Sequence, residues 1–521
     1  MGKGKNCDAG ALSMSCNSQL REGIMALKLP AIYEVGGCVR DEIIGKPAKD
    51  IDFMVCGVSA DELLAICSSV GQAEPLMVAD QLVGVRLRTE WTDAEGVEIA
   101  VARTELSTGA GHLDFEIRPL EVPADLASLE VEQRAGDARF LSHVEQDLAR
   151  RDFTCNAIAR DFSSGQLIDP YGGQQDLAQG ALRAVSPDSF RDDPLRILRG
   201  LGRVSKDGLE MDQDTERLAI EWAAGVHLDP SLPGALSGER IREELDKILS
   251  GSRSAYALQK AAKWGILQRI LPEWKASIGF DQSNKHHSLT VDQHQLRVLA
   301  QADHLGLKGS LKLAALMHDI GKPATAKAGA DGQLHYFAAK QDDPLWQTDK
   351  HRAQSHELRG AQLAEQAMDR LHYPKAEIKE VSALIRGHMF GTERGFQARP
   401  AARQQLLARK MLALYGFERA QDLTLLRICD LAGKGNEEPA PGFDSDAQSL
   451  ISVLRDQRSQ PTSLKALALN GADLERLGLK PGPETGKVLQ SLLKLVVGEP
   501  HINKASLLEP HAARFIAAET A

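Results

Sequence analysis

The sequence contains no apolar run that approaches the roughly 18 residues needed to span a bilayer, so we expect no membrane span. The N-terminal stretch MGKGKNCDAGALSMSC also lacks the apolar core of a secretory signal. Seven cysteines are scattered along the chain, and none of them forms a C-x-x-C pair. Scattered free thiols are typical of reducing compartments, so the sequence predicts a cytoplasmic protein.

Acidic side chains outnumber basic ones, 72 to 62, which bears on whether the protein can bind nucleic acid. The chain has 521 residues and a formal net charge of −10. This balance argues against a protein that coats nucleic acid, so RNA binding would require a local basic face. The length exceeds what one hydrophobic core supports and indicates about three to four domains.

The first third of the chain predicts alternating strands and helices. AIYEVGG is typical of a strand that ends in a glycine pair, CVRDEIIG of a short helix, and DIDFMVCG of a second strand. QLVGVRLRTE and VEIAVARTE predict two further strands, whereas residues 106–145 lack periodicity and predict a loop. From about Asp176 onward amphipathic runs predict helices, and the segment 433–446, rich in Gly, Pro and acid, predicts a linker.

Two carboxylates, Asp50 and Asp52, lie two residues apart on the second predicted strand. Because side chains alternate along a strand, both should face the same way, about 7 Å apart, with apolar neighbours facing the core. Such a pair suits hard divalent cations, here Mg²⁺, which can activate a hydroxyl and hold a leaving pyrophosphate. A third carboxylate on a neighbouring strand would complete the metal site; Glu98 is the first choice and Glu105 the alternative.

A glycine pair, Gly36 and Gly37, ends the first predicted strand just before this acidic motif. Without Cβ atoms, the backbone N–H groups there can approach a triphosphate closely. Arg40 follows on the short helix and adds a cation for the same phosphates. The combination predicts a nucleoside triphosphate site at the glycine turn.

The segment GGCVRDEIIGKPAKDIDF resembles the signature of class II tRNA nucleotidyltransferases, the CCA-adding enzymes, and of the related bacterial poly(A) polymerases. DLARRDFTCNAIA, LIDPYGGQQDL and LRAVSPDSFRDDPLRILRGLGR follow in the order of that family. The resemblance implies an α+β multidomain fold, with a polymerase-beta-like α/β head followed by all-α domains. It also implies that the second segment contacts the sugar and phosphates of the nucleotide through Arg150, Arg151, Asp152 and Asn156.

Asp193 and Arg196 lie three apart in a predicted helix and therefore share one face. An aspartate accepts and an arginine donates, so the pair complements the amine and the unprotonated ring nitrogen of cytosine or adenine. Uracil and guanine present the reverse order and would leave groups unpaired, at about 1–3 kcal/mol each. The alternative interpretation is an intrahelical ion pair without a role in recognition. The family's selecting motif begins with Glu, where this chain has Asp192.

Arginines continue along that helix at a regular spacing. Arg196, Arg199 and Arg203 lie at i, i+3 and i+7 and predict a basic stripe. Together with the other arginines of these segments, the stripe would form the basic face that an acidic chain needs for RNA and triphosphate: Arg150, Arg151, Arg183 and Arg191. The segment GERIREEL resembles a family motif that braces the neck, so its predicted role is structural.

A second set of residues combines histidine and aspartate on successive helices: His294, His318, Asp319, His356, His388 and Asp430. Mixed imidazole and carboxylate ligands suit divalent transition metals. The order resembles that of the HD phosphohydrolase superfamily. The resemblance implies a bound metal and hydrolysis of 2′,3′-cyclic or monoester phosphates.

The sequence thus favours a template-independent transferase that adds C, C and A to tRNA 3′ ends from CTP and ATP. A poly(A) polymerase, or an enzyme that adds only CC or only A, shares the same motifs and stays open as an alternative. A third hypothesis makes the HD site the main activity. The predicted division has six parts: an N-terminal appendage (1–28), the nucleotidyltransferase head (29–165), a helical neck (166–275), the HD domain (276–432), a linker (433–461) and a helical tail (462–521).

Overall fold

A computed structural model describes most of the chain: residues 9–48, 51–78, 80–107, 115–282, 288–328, 334–335, 355–389, 396–434 and 443–520. The chain divides into two compact units. Unit 1 comprises Met1–Gly251 and Lys260–Ile270, and unit 2 comprises Ser252–Gln259 and Leu271–Ala521. Within the described ranges, no helix combines the length and apolar character that crossing a bilayer requires.

A mixed β-sheet dominates the first half of unit 1. In the described residues it has seven strands in the order β3-β4-β5-β2-β1-β8-β9, and only β2 and β5 run parallel. A separate hairpin pairs β6 with β7. The strands are β1 Ala31–Val35, β2 Asp52–Cys56, β3 Gln72–Val78, β4 Gln81–Arg88, β5 Val97–Val101, β6 Arg103–Ser107, β7 Phe115–Pro119, β8 Ala159–Asp161 and β9 Leu167–Ile168.

Helices cover both faces of this sheet and seal two apolar cores. One core packs Phe53, Val55 and Ile99 on one face, and the other packs Met54 and Cys56 on the opposite face, as the alternation of a strand requires. The helices of this part are α1 Ala9–Ala26, α2 Gly37–Ile43, α3 Ala60–Val70, α4 Ala124–Ala127 and α5 Arg139–Ala149.

Two sequence predictions for the head are wrong. Residues 1–28 were expected to form an appendage, yet α1 brings Ile24 and Leu27 into the first core of the head. Residues 106–145 were expected to be a loop, yet they contain β7, α4 and most of α5. The helix α5 buries Phe140, Val144 and Leu148 beneath the sheet, so its hydrophobic spacing does match a helix.

The rest of unit 1 is helical, as predicted, apart from a small parallel pair of two-residue strands, β10 Ala181–Leu182 and β11 Glu210–Met211. The helical conformation is interrupted at Asp193 and Pro194, which separate α7 from α8. The helices are α6 Gly173–Ala178, α7 Ser189–Asp192, α8 Leu195–Asp207, α9 Gln213–Trp222, α10 Gly238–Leu249, α11 Ser254–Lys263, which begins in unit 2 and ends in unit 1, and α12 Leu267–Ile270.

Unit 2 is almost entirely helical in its described part, with one short antiparallel pair, β12 Lys327–Ala328 and β13 Leu334–His335. The longest helix, α18, contains Gly416 at φ 74° and ψ 175°, which bends it in a conformation that glycine adopts without strain. The helices are α13 Val291–His304, α14 Gly309–Met317, α15 Lys322–Thr325, α16 His356–Arg370, α17 Lys375–Gly387, α18 Ala401–Ala432, α19 Phe443–Asp456, α20 Gly471–Arg476, α21 Pro483–Gly498 and α22 Ala505–Thr520.

The predicted α+β head followed by helices is confirmed, but the predicted linker is not. Helix α19 occupies much of the segment 433–461, and its Ala447 packs on Ile428 of α18. Residues 435–442 lie outside the described part of the chain. The tail has its own small core, in which Leu474, Leu492 and Leu508 are fully buried.

Candidate active site and metal centre

A cavity of about 550 Å³ lies in unit 1 where β1 ends and β2 begins. Its volume is within the range of about 300–1,000 Å³ typical of small-molecule sites. Thirteen of the residues predicted from the sequence line it: Gly36, Gly37, Arg40, Asp52, Glu105, Arg150, Arg151, Asp152, Asn156, Asp193, Arg196, Arg199 and Arg203. The structure therefore brings the glycine turn, one carboxylate of the acidic motif and the arginine segments together.

The acidic residues of the cavity differ from the predicted set in one respect. Asp50 lies outside the described residues, and Asp52 is exposed at the first position of β2. Glu98 pairs with Asp52 in the register of the sheet, but its carboxylate forms an ion pair with Arg86 of β4. The alternative, Glu105 on β6, lines the cavity with Asp52, whereas Glu98 is not among its lining residues.

Cation contacts hold Glu105 in place. Its Oε1 lies 2.7 Å from Arg150 Nη1 and 3.1 Å from Arg103 Nε. Two carboxylates thus line the cavity, Asp52 on β2 and Glu105 on β6 of the separate hairpin, and both are hard oxygen donors suited to Mg²⁺. Glu98 was predicted because its strand neighbours that of Asp52. Its carboxylate is instead paired with Arg86, so the order of the strands alone does not decide which side chain lines the cavity.

Gly36 shapes the glycine turn. Its φ of +78° is in the left-handed region, and a Cβ there would lie 2.8 Å from Arg151 Nη1. Arg40 is buried and donates to Asn156 Oδ1, while Asn156 Nδ2 donates to Asp152 Oδ1 at 2.8 Å. These bonds tie α2 to the segment that carries the predicted sugar and phosphate contacts.

One buried carboxylate, which the sequence analysis missed, organises the arginines. Asp147 on α5 lies 2.9 Å from Arg150 and 3.2 Å from Arg151, and it accepts the Arg103 backbone N–H at 3.2 Å. Burial alone would raise the pKa of Asp147, but the two guanidinium groups hold it below its usual value. Its i, i+3 and i, i+4 spacing to the arginines was the available signal.

We expect Asp147→Asn to destabilise unit 1 by about 2–4 kcal/mol, because two partly buried guanidinium groups lose the buried carboxylate that is their shared counter-charge. Chemical denaturation of the full chain, followed by circular dichroism, measures the change. Glu145→Gln is the matched control, since Glu145 is exposed on the same helix. Equal denaturation midpoints for the two variants would contradict the assigned role of Asp147.

Asp193 and Arg196, the pair predicted to recognise the base, both line the cavity, but they do not have the predicted geometry. Asp193 lies in extended backbone between α7 and α8, so it does not share a helix with Arg196. No ion pair joins the two side chains within the part of the chain that the structure describes. Arg240 Nη2 instead lies 3.1 Å from Asp193 Oδ2, and the Leu195 N–H donates to Asp193 Oδ1 at 3.1 Å.

Arg196 is positioned by acceptors other than a carboxylate. It donates to the Arg150 carbonyl at 2.8 Å and to Ser189 Oγ at 3.2 Å, and its Nε is buried without a partner. Arg196 thus keeps an unpartnered donor, and each Asp193 oxygen, which accepts one bond, can accept a second from a ligand. Arg240 comes from the segment GERIREEL, for which only a structural role was predicted, and it also lines the cavity.

The structure brings the three arginines of the predicted basic stripe to the cavity. Arg199 and Arg203 line it together with Arg196. Arg183 is instead paired with Asp176 and Asp212 on the surface, and Arg191 with Asp188 and Asp192. Those two arginines are not among the residues that line the cavity.

A second cluster is buried in unit 2. All six predicted residues meet there, in two groups: His294, His318 and Asp430, and Asp319, His356 and His388. Within each group the potential ligand atoms lie within 4.8 Å of one another. Lys322 Nζ lies 2.6 Å from Asp319 Oδ2, and Arg427 pairs with Asp430.

Protonation differs among the histidines of this cluster: burial would lower the pKa of His318, but the neighbouring Asp319 carboxylate raises it above the usual value. Burial lowers the pKa of His356 to about 4 and that of His388 to about 3, so both rings are neutral at pH 7. Burial opposes the charged form of Asp319 as well, yet His318 and Lys322 hold its pKa well below the usual value. Neutral imidazoles and ionised carboxylates are the forms that ligate transition metals.

Fold and site together define a poly(A) polymerase-type head joined to an HD domain. Family models match accordingly: Poly A polymerase head domain at residues 32–183, probable RNA and SrmB-binding site of polymerase A at 234–278, and HD domain at 291–432. The chain is 31% identical over 470 residues to the multifunctional CCA protein of Xanthomonas campestris pv. campestris (strain B100), with 88% of this chain and 96% of that protein covered. The chain belongs to the family of multifunctional CCA proteins.

Further relatives agree with this placement. The multifunctional CCA protein of Pseudomonas aeruginosa (strain PAO1) is 32% identical over 381 residues, which cover 72% of this chain and 78% of that one. The fold matches the Bacillus stearothermophilus CCA-adding enzyme in complex with CTP, with a TM-score of 0.59, 20% identity and 98% of both chains covered. The Thermotoga maritima CCA-adding enzyme complexed with tRNA matches with a TM-score of 0.51, 18% identity, and 99% and 97% of the two chains covered.

Proposed function

We propose that this chain adds C, C and A to the 3′ ends of tRNA, using CTP and ATP, in the cytoplasm. The observation that carries the proposal is the single cavity in which Asp52, the arginines and the Asp193–Arg196 pair meet. Family membership supports the same reaction over poly(A) synthesis. The cytoplasmic location rests on the free thiols of the five described cysteines.

At the phosphate end, Arg40, Arg150 and Arg151 provide fixed positive charge around the glycine turn. Asp52, with Asp50 and Glu105, would hold Mg²⁺, which supplies charge neutralisation and activation of the attacking hydroxyl. The tRNA 3′-OH then attacks the α-phosphate, its proton is lost, and pyrophosphate leaves. Glu105 therefore replaces Glu98 as our proposed third carboxylate.

At the base end, the carboxylate of Asp193 accepts from the exocyclic amine of cytosine or adenine, and Arg196 donates to the adjacent ring nitrogen. Arg240 orients Asp193 through the bond between Nη2 and Oδ2. Both side chains are at least nine-tenths buried, so an unmatched base leaves polar groups without partners. One pocket can therefore select C and A without a nucleic-acid template.

The test is direct incorporation. The protein is incubated with tRNA that lacks its 3′ CCA, with CTP and ATP supplied singly and together, and the added nucleotides are sequenced. We expect CC with CTP alone and CCA with both. Long A tracts would identify a poly(A) polymerase, and addition of only CC or only A in the presence of both would identify the partial enzymes.

Arg196→Ala should weaken discrimination against UTP and GTP by about 10–100-fold, because the donor that rejects a ring N–H is gone. Misincorporation into tRNA ending in CC measures the effect, as the ratio of kcat/KM for ATP and GTP. Arg191→Ala serves as the control, since Arg191 is exposed and paired outside the cavity. Unchanged selectivity in Arg196→Ala would contradict base reading by this residue.

For unit 2 we propose a metal-dependent phosphohydrolase that acts on 2′,3′-cyclic or monoester phosphates. A divalent transition metal would be held by His294, His318, Asp319, His356, His388 and Asp430, and it would supply Lewis acidity and a water nucleophile. The support is the convergence of these six buried side chains. The HD reaction would be the main activity only if the cavity of unit 1 failed to bind a triphosphate. The predicted bounds of the head, neck, HD domain and tail remain a proposal.

A further inference from the structure

Asp192 stands where the selecting motif of the family has glutamate, yet its carboxylate is paired away from the base-reading pair. It lies on α7, and its Oδ1 is 3.3 Å from Nη2 of the exposed Arg191. Asp192 is not among the residues that line the cavity. Arg196 is nine-tenths buried, so its orientation must be set by groups other than this carboxylate.

Two neutral acceptors hold the guanidinium group of Arg196. Its Nη2 donates to the Arg150 carbonyl at 2.8 Å, and its Nη1 donates to Ser189 Oγ at 3.2 Å. The Nε–H is buried and has no partner. Because a guanidinium is a rigid planar fork, holding both Nη atoms fixes the direction of the Nε–H bond. That N–H is the donor left for the ring nitrogen of a bound base.

The hydroxyl of Ser189 is itself held in place. Its single proton is donated to the Asp152 carbonyl at 3.2 Å, so its lone pairs are what Arg196 finds. Ser189 is the first residue of α7 and is 1% exposed. The next residue, Phe190, is fully buried beside Phe153, with 6.0 Å between the ring centroids. The backbone that carries the hydroxyl is therefore anchored in the core.

We propose that Ser189 is a positioning residue that sets the nucleotide selectivity of the cavity through Arg196. Ser189 is not among the lining residues, so it acts on the base only through that guanidinium. Without the hydroxyl, Nη1 keeps the Ser189 carbonyl at 3.5 Å, the limit of a hydrogen bond, and the direction of the Nε–H is no longer fixed. The inference rests on the base reading by Arg196 that is part of the proposed function.

The effect of losing the hydroxyl is confined to the base end of the cavity. The Asp152 carbonyl also accepts the Val185 N–H at 3.2 Å, so this segment keeps a backbone anchor. The Asp152 carboxylate keeps its bonds from Asn156 Nδ2 and from the Phe153 N–H, both at 2.8 Å. Selection of the base and selection of the sugar should therefore respond differently to a change at Ser189.

The test measures both selectivities on tRNA ending in CC. In Ser189→Ala we expect the ratio of kcat/KM for ATP over GTP to fall by about tenfold, the worth of one hydrogen bond to a charged group. The ratio for ATP over dATP should stay within about twofold, because the contacts of Asp152 are separate from those of Arg196. Ser189→Thr retains the hydroxyl and should restore the first ratio.

Three further variants control for folding and for the neighbouring residues. Ser189→Cys is close to serine in size but has only a weak donor and acceptor, so it should match Ser189→Ala, and it decides the question if the alanine variant does not fold. Ser186→Ala changes a half-buried serine of the same segment and should keep both ratios. Asp192→Asn should keep them as well, since its carboxylate is paired with Arg191.

A double substitution shows whether the serine acts through the arginine. Ser189→Ala combined with Arg196→Ala should be no less selective than Arg196→Ala alone, whereas residues that act independently would multiply their losses. Multiplied losses would overturn the proposal. So would an unchanged ATP over GTP ratio in Ser189→Ala and Ser189→Cys, an equal fall in the ATP over dATP ratio, or a larger fall in Asp192→Asn.

The inference and the proposed base reading fail in different ways. Unchanged selectivity in Arg196→Ala would remove the base-reading role, and with it the basis for a role of Ser189. Loss of selectivity in Arg196→Ala without any loss in the alanine and cysteine variants of Ser189 would leave base reading intact and reject the role of Ser189 alone.

Discussion

Asp52→Ala is expected to reduce nucleotide addition by about 10³-fold or more while the Kd for tRNA stays within about twofold. The substitution removes a carboxylate from the centre of the cavity, where charge develops during attack on the α-phosphate. It leaves the arginines that meet the RNA backbone unchanged. Single-turnover incorporation of CTP, together with a filter-binding titration of tRNA, measures the two quantities separately.

Two further carboxylates supply matched controls for this prediction. Glu105→Gln should lower kcat strongly, because Glu105 lines the cavity beside Asp52. Glu98→Gln should change kcat by less than about threefold, since the Glu98 carboxylate is paired with Arg86 and partly exposed. Wild-type rates in Asp52→Ala would refute the assignment of this site. A larger effect of the substitution at Glu98 than at Glu105 would restore Glu98 as the third metal-binding carboxylate.

His318→Ala is expected to reduce phosphohydrolase activity by about 10³-fold or more, with CCA addition unchanged within about twofold. His318 is fully buried, and its Nε2 lies beside both His294 and Asp319, so the change removes a ligand from the cluster. Hydrolysis of 2′,3′-cyclic AMP in the presence of Ni²⁺ and addition to tRNA are measured on the same preparation.

His304→Ala is the control for that experiment, because it removes an exposed histidine from the same unit. Loss of both activities in His318→Ala would show that the two sites do not act independently. Retention of hydrolysis would mean that the buried cluster is not the hydrolytic centre.

The sequence predicted which residues gather in the head, because ordered motifs identify the strand ends and the segment that faces them. It could not predict which of two glutamates enters the cavity. Glu98 and Glu105 both lie on strands, and the choice depends on partners distant in the sequence, Arg86 on β4 for Glu98 and Arg150 at the end of α5 for Glu105. Such partners come together only when the register of the sheet is set.

The position of Asp193 shows a second limit. Three-residue spacing to Arg196 is the same in a continuous helix and across a helix break, so spacing alone predicted the wrong geometry. The proline at position 194 was the available signal, because the residue before proline avoids the helical conformation. The helix α19 escaped notice for a different reason, since the segment before it is rich in breakers.

Buried Asp147 has a consequence for how the enzyme responds to acidity. Its pKa is lowered and that of Arg150 is raised, so neither group changes charge between about pH 5 and pH 9. Stability contributed by the depressed carboxyl is present above its unfolded pKa and fades only as the solution becomes strongly acidic. The charges of Asp147 and Arg150 therefore stay constant across this range of pH, and an acid limb in the rate of nucleotide addition must have a source other than this pair.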